Sequence, residues 1–143
     1  MRLALAGAQP LESVRQLASL PGVEVTGTVP DVRPYYSRAL AAIVPLLSGS
    51  GTRLKILEAM AAQVPVISTP VGAEGLEAVP DRHLLIAEPA DAEVWVRHVS
   101  LIYESRIERE RLTTASFEFV RSRYDWERTD LKLKSIYEGW LQA

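Results

Sequence analysis

Short apolar runs alternate with amphipathic stretches along the first two thirds of the chain. "LALAG" (3–7), "VEVTG" (23–27), "AAIVP" (41–45), "PVIST" (65–69) and "HLLIA" (83–87) each read as a strand. Between them, Gln9-Pro10 opens a helical pattern that runs to about Leu20 and is broken by Pro21-Gly22. Residues 31–39 form a short helix or turn, and Thr52 to Gln63 a helix whose sheet-facing stripe is Leu54, Leu57 and Ala61. Strands alternating with helices predict βαβ units and a parallel sheet. Runs that are apolar on both faces predict helices covering both sides of that sheet.

The last third changes character. Asp91 is placed to cap a helix carrying Val94, Trp95, Val99 and Ile102. A second helix spans about 105–121. A third begins near Asp125 and aligns Leu133, Ile136, Tyr137, Trp140 and Leu141 on one stripe. Neither repeats nor linkers interrupt the pattern. The expected architecture is a Rossmann-like three-layer α/β/α domain over 1–143 with about five parallel strands, an α/β core at 1–104 and a helical tail at 105–143.

Composition narrows the chemistry. The 143 residues are 48% hydrophobic and 24% charged, ordinary for a globular domain with a sizeable core. A net charge of −2 gives no reason to expect a nucleic-acid or anionic-membrane partner. Without cysteine there is neither a disulfide framework nor a thiolate metal site. His83 and His98, far apart in sequence, argue against a histidine metal site. The longest apolar run, around 39–47, contains Pro45 and is too short to span a bilayer. The start is unlike a signal peptide, so the expected compartment is the cytoplasm.

The stretch "PLLSGSGTRLKILEAMAAQVPVISTP" (45–70) carries the candidate site. In open parallel sheets, ligands bind outside the carboxyl ends of the strands. The loop after Pro45 lies at such an end and leads into a helix N-terminus. Gly49 and Gly51 bare the main chain. The amides of Gly51, Thr52 and Arg53 would then face an anion, with Thr52 as N-cap and Arg53 and Lys55 adding charge. The spacing is not that of a Walker A loop. Arg53 and Lys55 divide between phosphate contact and solvated charge. Glu58 shares a helix face with Lys55. It could accept both hydroxyls of a ribose, or form a solvated pair with Lys55, the default for an unremarkable helix. His83 reads as structural. Glu74 and Glu77 default to capping a short helix, with a place near a bound sugar as the alternative. Tyr124 and Trp126 read as core anchors. Gln63 ends the helix where glycine would suit a left-handed cap better.

"GSGTRLKILEAMAAQVPVISTPVGAEGL" resembles the donor-binding motif of retaining GT-B glycosyltransferases, the glycosyl transferases group 1 family. "VEVTGTVPDVRPYYSRALAAIVPL", "HLLIAEPAD" and "RYDWE" resemble the flanking stretches. The resemblance implies a domain that binds a nucleoside diphosphate sugar, with no metal. Glu58 matches the second Glu of the E-x7-E signature and is implied to bind the donor ribose. Gly51 and Thr52 match positions whose amides meet the diphosphate. Gly49, Ser50, Arg53 and Lys55 belong to the same donor loop, and 27–29, including Val29, to the segment against the base. The signature's first Glu is replaced by Ser50, so that carboxylate contact is lost. The match is to the C-terminal domain alone. The N-terminal acceptor domain and the first βα unit are expected to be missing, and these 143 residues to transfer no sugar by themselves. No residue is assigned as catalytic. The run at 3–7 is expected to pair with both 23–27 and 41–45, closing the gap left by the missing strand, with dimerisation through uncovered apolar surface such as the Trp140 stripe. The alternative is a non-catalytic Rossmann-like module that binds a nucleotide or a partner protein.

Overall fold

A computed structural model describes residues 1–49, 51–125, 130, 133–135, 137, 138 and 140. The chain divides into two compact units, Met1–Arg38 and Ala39–Ala143.

In the first unit, strand β1 (Leu3–Ala6) is followed by helix α1 (Glu12–Gln16), which tightens into a 3-10 turn at Leu17–Ser19. Strand β2 (Val23–Gly27) and the single-turn helix α2 (Arg33–Tyr36) complete it. Pro21 and Gly22 form the break that the sequence announces, Gly22 with a φ of 83°. β1 and β2 pair in parallel, Leu3 opposite Val23 and Leu5 opposite Val25. The register then shifts, so that Ala6 faces Gly27. β2 carries the extra residue, and Gly27, with a φ of 68°, absorbs the bend as glycine readily does.

The second unit runs strand β3 (Ala42–Val44), helix α3 (Leu54–Ala61), strand β4 (Val66–Ser68), helix α4 (Pro70–Ala73), strand β5 (Leu85–Ile86), helix α5 (Ala92–Glu104) and helix α6 (Arg106–Arg123). Its three strands are parallel in the order β3-β4-β5. Central β4 is buried at every position, as an apolar run covered on both faces must be. Ile67, Leu85, Ala87, Ile102 and Leu112 form the core, with Val94, Trp95 and Val99 of α5 packed against it. Asp91 caps α5, its carboxylate accepting from the Val94 amide at 3.1 Å. Ser105 caps α6 through the Glu108 amide, at 3.3 Å. α6 packs on α3 and buries Leu112, Ser116 and Phe119. The first helix of the expected tail is therefore part of this unit's core. Of the third helix, Trp126, Ile136 and Leu141 lie outside the described residues; Leu133, Tyr137 and Trp140 are exposed.

Five strands lie where the apolar runs placed them, each parallel to its partner within its own unit. Among the described residues β1 pairs with β2, and β4 lies between β3 and β5.

α3 differs from expectation in its buried face. Ile56, Leu57, Ala59 and Met60 are buried, whereas Leu54 is 60% exposed and Ala61 is exposed. Of the expected stripe only Leu57 is buried, and the helix starts at Leu54 rather than Thr52. Its other end is a Schellman motif. The Val64 amide donates to the Ala59 carbonyl at 2.9 Å, and the Gln63 amide to Met60 at 3.1 Å. Gln63 itself has a φ of 57°, the left-handed cap that its position implied.

Candidate functional site

The loop at 45–53 leaves the carboxyl end of β3 and delivers the chain to the N-terminus of α3. Two buried groups fix its course. Thr69, fully buried at the end of β4, donates its hydroxyl to the Leu46 carbonyl at 2.6 Å and accepts from the Gly72 amide at 3.0 Å. One side chain thus anchors the root of the loop and caps α4. Gly72 permits this arrangement by its lack of a side chain. A Cβ there would lie 2.3 Å from Ser68 Oγ and 3.1 Å from both Thr69 Oγ1 and the Val44 carbonyl.

The second fixing group is Arg53. It stands at the helix N-cap, where Thr52 was expected, and no side chain caps the helix. Its guanidinium turns inward and is only 7% exposed. Nη2 donates to the Gly49 carbonyl at 3.3 Å and lies 3.6 Å from Glu74 Oε2 at the end of α4. A Cβ on Gly49 would sit 3.4 Å from Arg53 Nη1, in ordinary contact with the guanidinium. Gly51 has a φ of 87°, which an L side chain adopts only with strain. Ser50 lies outside the described residues.

What remains at the surface is a helix N-terminus. Among the described residues, the amides of Gly51, Thr52 and Arg53 have no hydrogen-bond acceptor. Free amides on a helix dipole favour an anion. Lys55 and Glu58 are both exposed on α3, three residues apart. Glu58 stands about 7.5 Å along the helix axis from Arg53, at 1.5 Å per residue. Gly49, Gly51, Thr52, Lys55 and Glu58 are therefore gathered on one loop-helix junction, whereas Arg53 points away from its open side. Glu74, read from sequence as a cap, stands at the end of α4 as the ion partner of Arg53. Thr69 and Gly72 escaped the sequence reading. The "STPVG" stretch could have shown Thr69, since Thr followed by Pro is an N-cap signature.

Val29, half-buried, belongs to the first unit, in the loop after β2. That unit carries an open depression of about 460 Å³ lined by Gln9, Pro10, Arg15, Ala18 and residues 25–28.

The remaining histidine question resolves structurally. His83 Nδ1 accepts from the Val79 amide at 2.9 Å, and the ring stacks on Phe119 with centroids 4.6 Å apart. Burial, helped by the neighbouring Arg82 charge, lowers its pKa. Tyr124 packs edge-on against the same Phe119. Among the described residues, no cluster of three or more histidines, cysteines or acidic residues could hold a metal. No helix among them is long and apolar enough to cross a membrane.

Parallel strands joined by helices match the Rossmann-like fold of the C-terminal domain of GT-B glycosyltransferases. The sequence profile described as glycosyl transferases group 1 matches residues 1–105, and the chain belongs to that family. No match is found among curated proteins. Among solved structures, the chain is similar to a sucrose-phosphate synthase from Thermosynechococcus elongatus, with a TM-score of 0.80 and 24% identity over 99% of this chain and 39% of that one. It is also similar to HepE of Anabaena, solved in complex with UDP, with a TM-score of 0.84 and 13% identity over 97% of this chain and 41% of that one. A third is the C-terminal domain of the group 1 family protein LpcC from Francisella tularensis, with a TM-score of 0.67 and 20% identity over 80% and 60% of the two chains. The chain thus spans about 40% of the length of the first and second of these.

Proposed function

We propose that this domain binds the nucleoside diphosphate sugar donor of a retaining glycosyltransferase. The observation that carries the reading is that, among the described residues, the amides of Gly51 and Thr52 have no acceptor just ahead of the α3 N-terminus, beside exposed Lys55 and Glu58. The diphosphate would accept from these amides, with Lys55 adding positive charge. Glu58, about one and a half turns along α3, would accept from the ribose hydroxyls. The loop at 27–29 is assigned to the base on the family resemblance alone. In the complete enzyme the sugar would pass to an acceptor with retention. The same amides would stabilise negative charge growing on the departing diphosphate, already oriented before reaction. That HepE was solved with UDP supports the ligand class. Calorimetric titration with a panel of nucleoside diphosphates tests the proposal. A diphosphate should bind, weakly and on the order of millimolar, while the corresponding nucleoside should bind far less. Equal affinities for the two would leave the helix N-terminus without its proposed role.

A further inference from the structure

The buried guanidinium of Arg53 points to a role other than the phosphate contact suggested by its place in the loop. Arginine is rarely this buried unless it is paired. Here one nitrogen, Nη2, makes both contacts: it donates to the Gly49 carbonyl at 3.3 Å and lies 3.6 Å from the carboxylate of Glu74 at the end of α4. Its Nε has no hydrogen-bond partner among the described residues. A group so placed can hold the loop but has little surface left to offer an anion.

We propose that Arg53 is a positioning residue, and that Glu74 completes a clamp joining the donor loop to α4. The clamp spans the loop from Gly49 to the N-cap of α3, and so sets the direction in which the amides of Gly51 and Thr52 point. Thr69 fixes the root of the same loop at Leu46, which leaves the 49–53 segment as the part the clamp must order. This inference rests on the donor-binding reading for its functional consequence, but the clamp itself is a property of the loop.

Glu74→Gln separates the clamp from direct electrostatics by sign. The Glu74 side chain is 74% exposed, so the variant should fold. It removes a negative charge close to a proposed anion site. If charge near the phosphates were all that mattered, binding of a nucleoside diphosphate would tighten. If the clamp orders the amides, binding should weaken, by about fivefold for the loss of one partly screened charge pair. Arg53→Met should weaken it too, and the double variant should be little worse than Arg53→Met alone, since both break one contact. The loss should fall on the diphosphate and spare the parent nucleoside, which a general loss of structure would not do. Backbone amide order parameters from NMR relaxation at 51–53, measured without ligand, give a second readout. Lower order parameters in Glu74→Gln support the clamp even if no nucleotide binds, in which case the donor-binding reading alone fails. Unchanged order parameters, or tighter diphosphate binding in Glu74→Gln, overturn the clamp.

Discussion

Replacing Gln63 by glycine should stabilise the protein, and the size of the effect can be worked from the backbone. Gln63 occupies the left-handed position that closes α3, with a φ of 57°. A residue with a Cβ pays about 1–2 kcal/mol to sit there. Its side chain is exposed, so truncation sacrifices no buried surface. Both Schellman bonds come from main-chain amides, those of Gln63 and Val64, and survive the change. Against the relief stands the greater freedom of glycine in the unfolded chain, about 0.4–1 kcal/mol. The net gain is about 0.5–1 kcal/mol, which for a chain of this size raises Tm by about 2–4 °C. Thermal unfolding followed by circular dichroism reads it, with Gln63→Ala as control. Alanine keeps the Cβ and should leave Tm within about 1 °C of the parent. A Gln63→Gly protein no more stable than the parent, or an alanine variant that gains as much, would refute the strain argument.

Two further outcomes are expected. Gly72→Ala should destabilise by about 1–3 kcal/mol in urea unfolding, because its Cβ is driven against Ser68 Oγ, 2.3 Å away; Ser68→Ala in the same chain should recover part of that loss, and no recovery would mean that the backbone contacts dominate. Stability should fall as pH drops below the usual histidine value of 6.5, since burial disfavours protonated His83 in the folded state while the unfolded state takes up the proton freely. Protonation at Nδ1 would also end acceptance from the Val79 amide. The decline should level off once pH passes below the lowered folded-state pKa, and urea unfolding of His83→Asn across the same range should lose this part of the slope.

The strands were legible because each is a short apolar run ended by Pro, Gly or a polar cluster, and burial on both faces of β4 needs nothing more. The caps at Asp91 and Ser105 were legible or nearly so, since one side chain and one amide three residues on settle them. The start of α3 was not. Thr52 is the better intrinsic cap, but Arg53 is held at the cap by contacts with Gly49 and with Glu74, the latter 21 residues further along the chain. No local rule anticipates such a pairing. The buried face of α3 was not legible either: Leu54 of the expected stripe is exposed, while Ile56 and Met60 join Leu57 in the core. Gly72 was illegible for a similar reason: its need for a bare Cα arises from Ser68, Thr69 and Val44, which meet only once α4 has packed. For the site, sequence located the loop and Glu58, while the inward turn of Arg53 needed the fold.

The central claim is that the loop-helix junction holds a nucleoside diphosphate, with its phosphates on the amides at 51–53 and its ribose on Glu58. Calorimetry of Glu58→Gln tests this most directly, with a nucleoside diphosphate and inorganic pyrophosphate titrated side by side. Loss of a hydrogen bond to a charged group should weaken nucleoside diphosphate binding by about 1.5–3 kcal/mol. Pyrophosphate has no ribose, so its affinity should hold or rise slightly as a nearby negative charge is removed. Unchanged nucleoside diphosphate affinity in Glu58→Gln, or an equal loss for both ligands, would contradict the account.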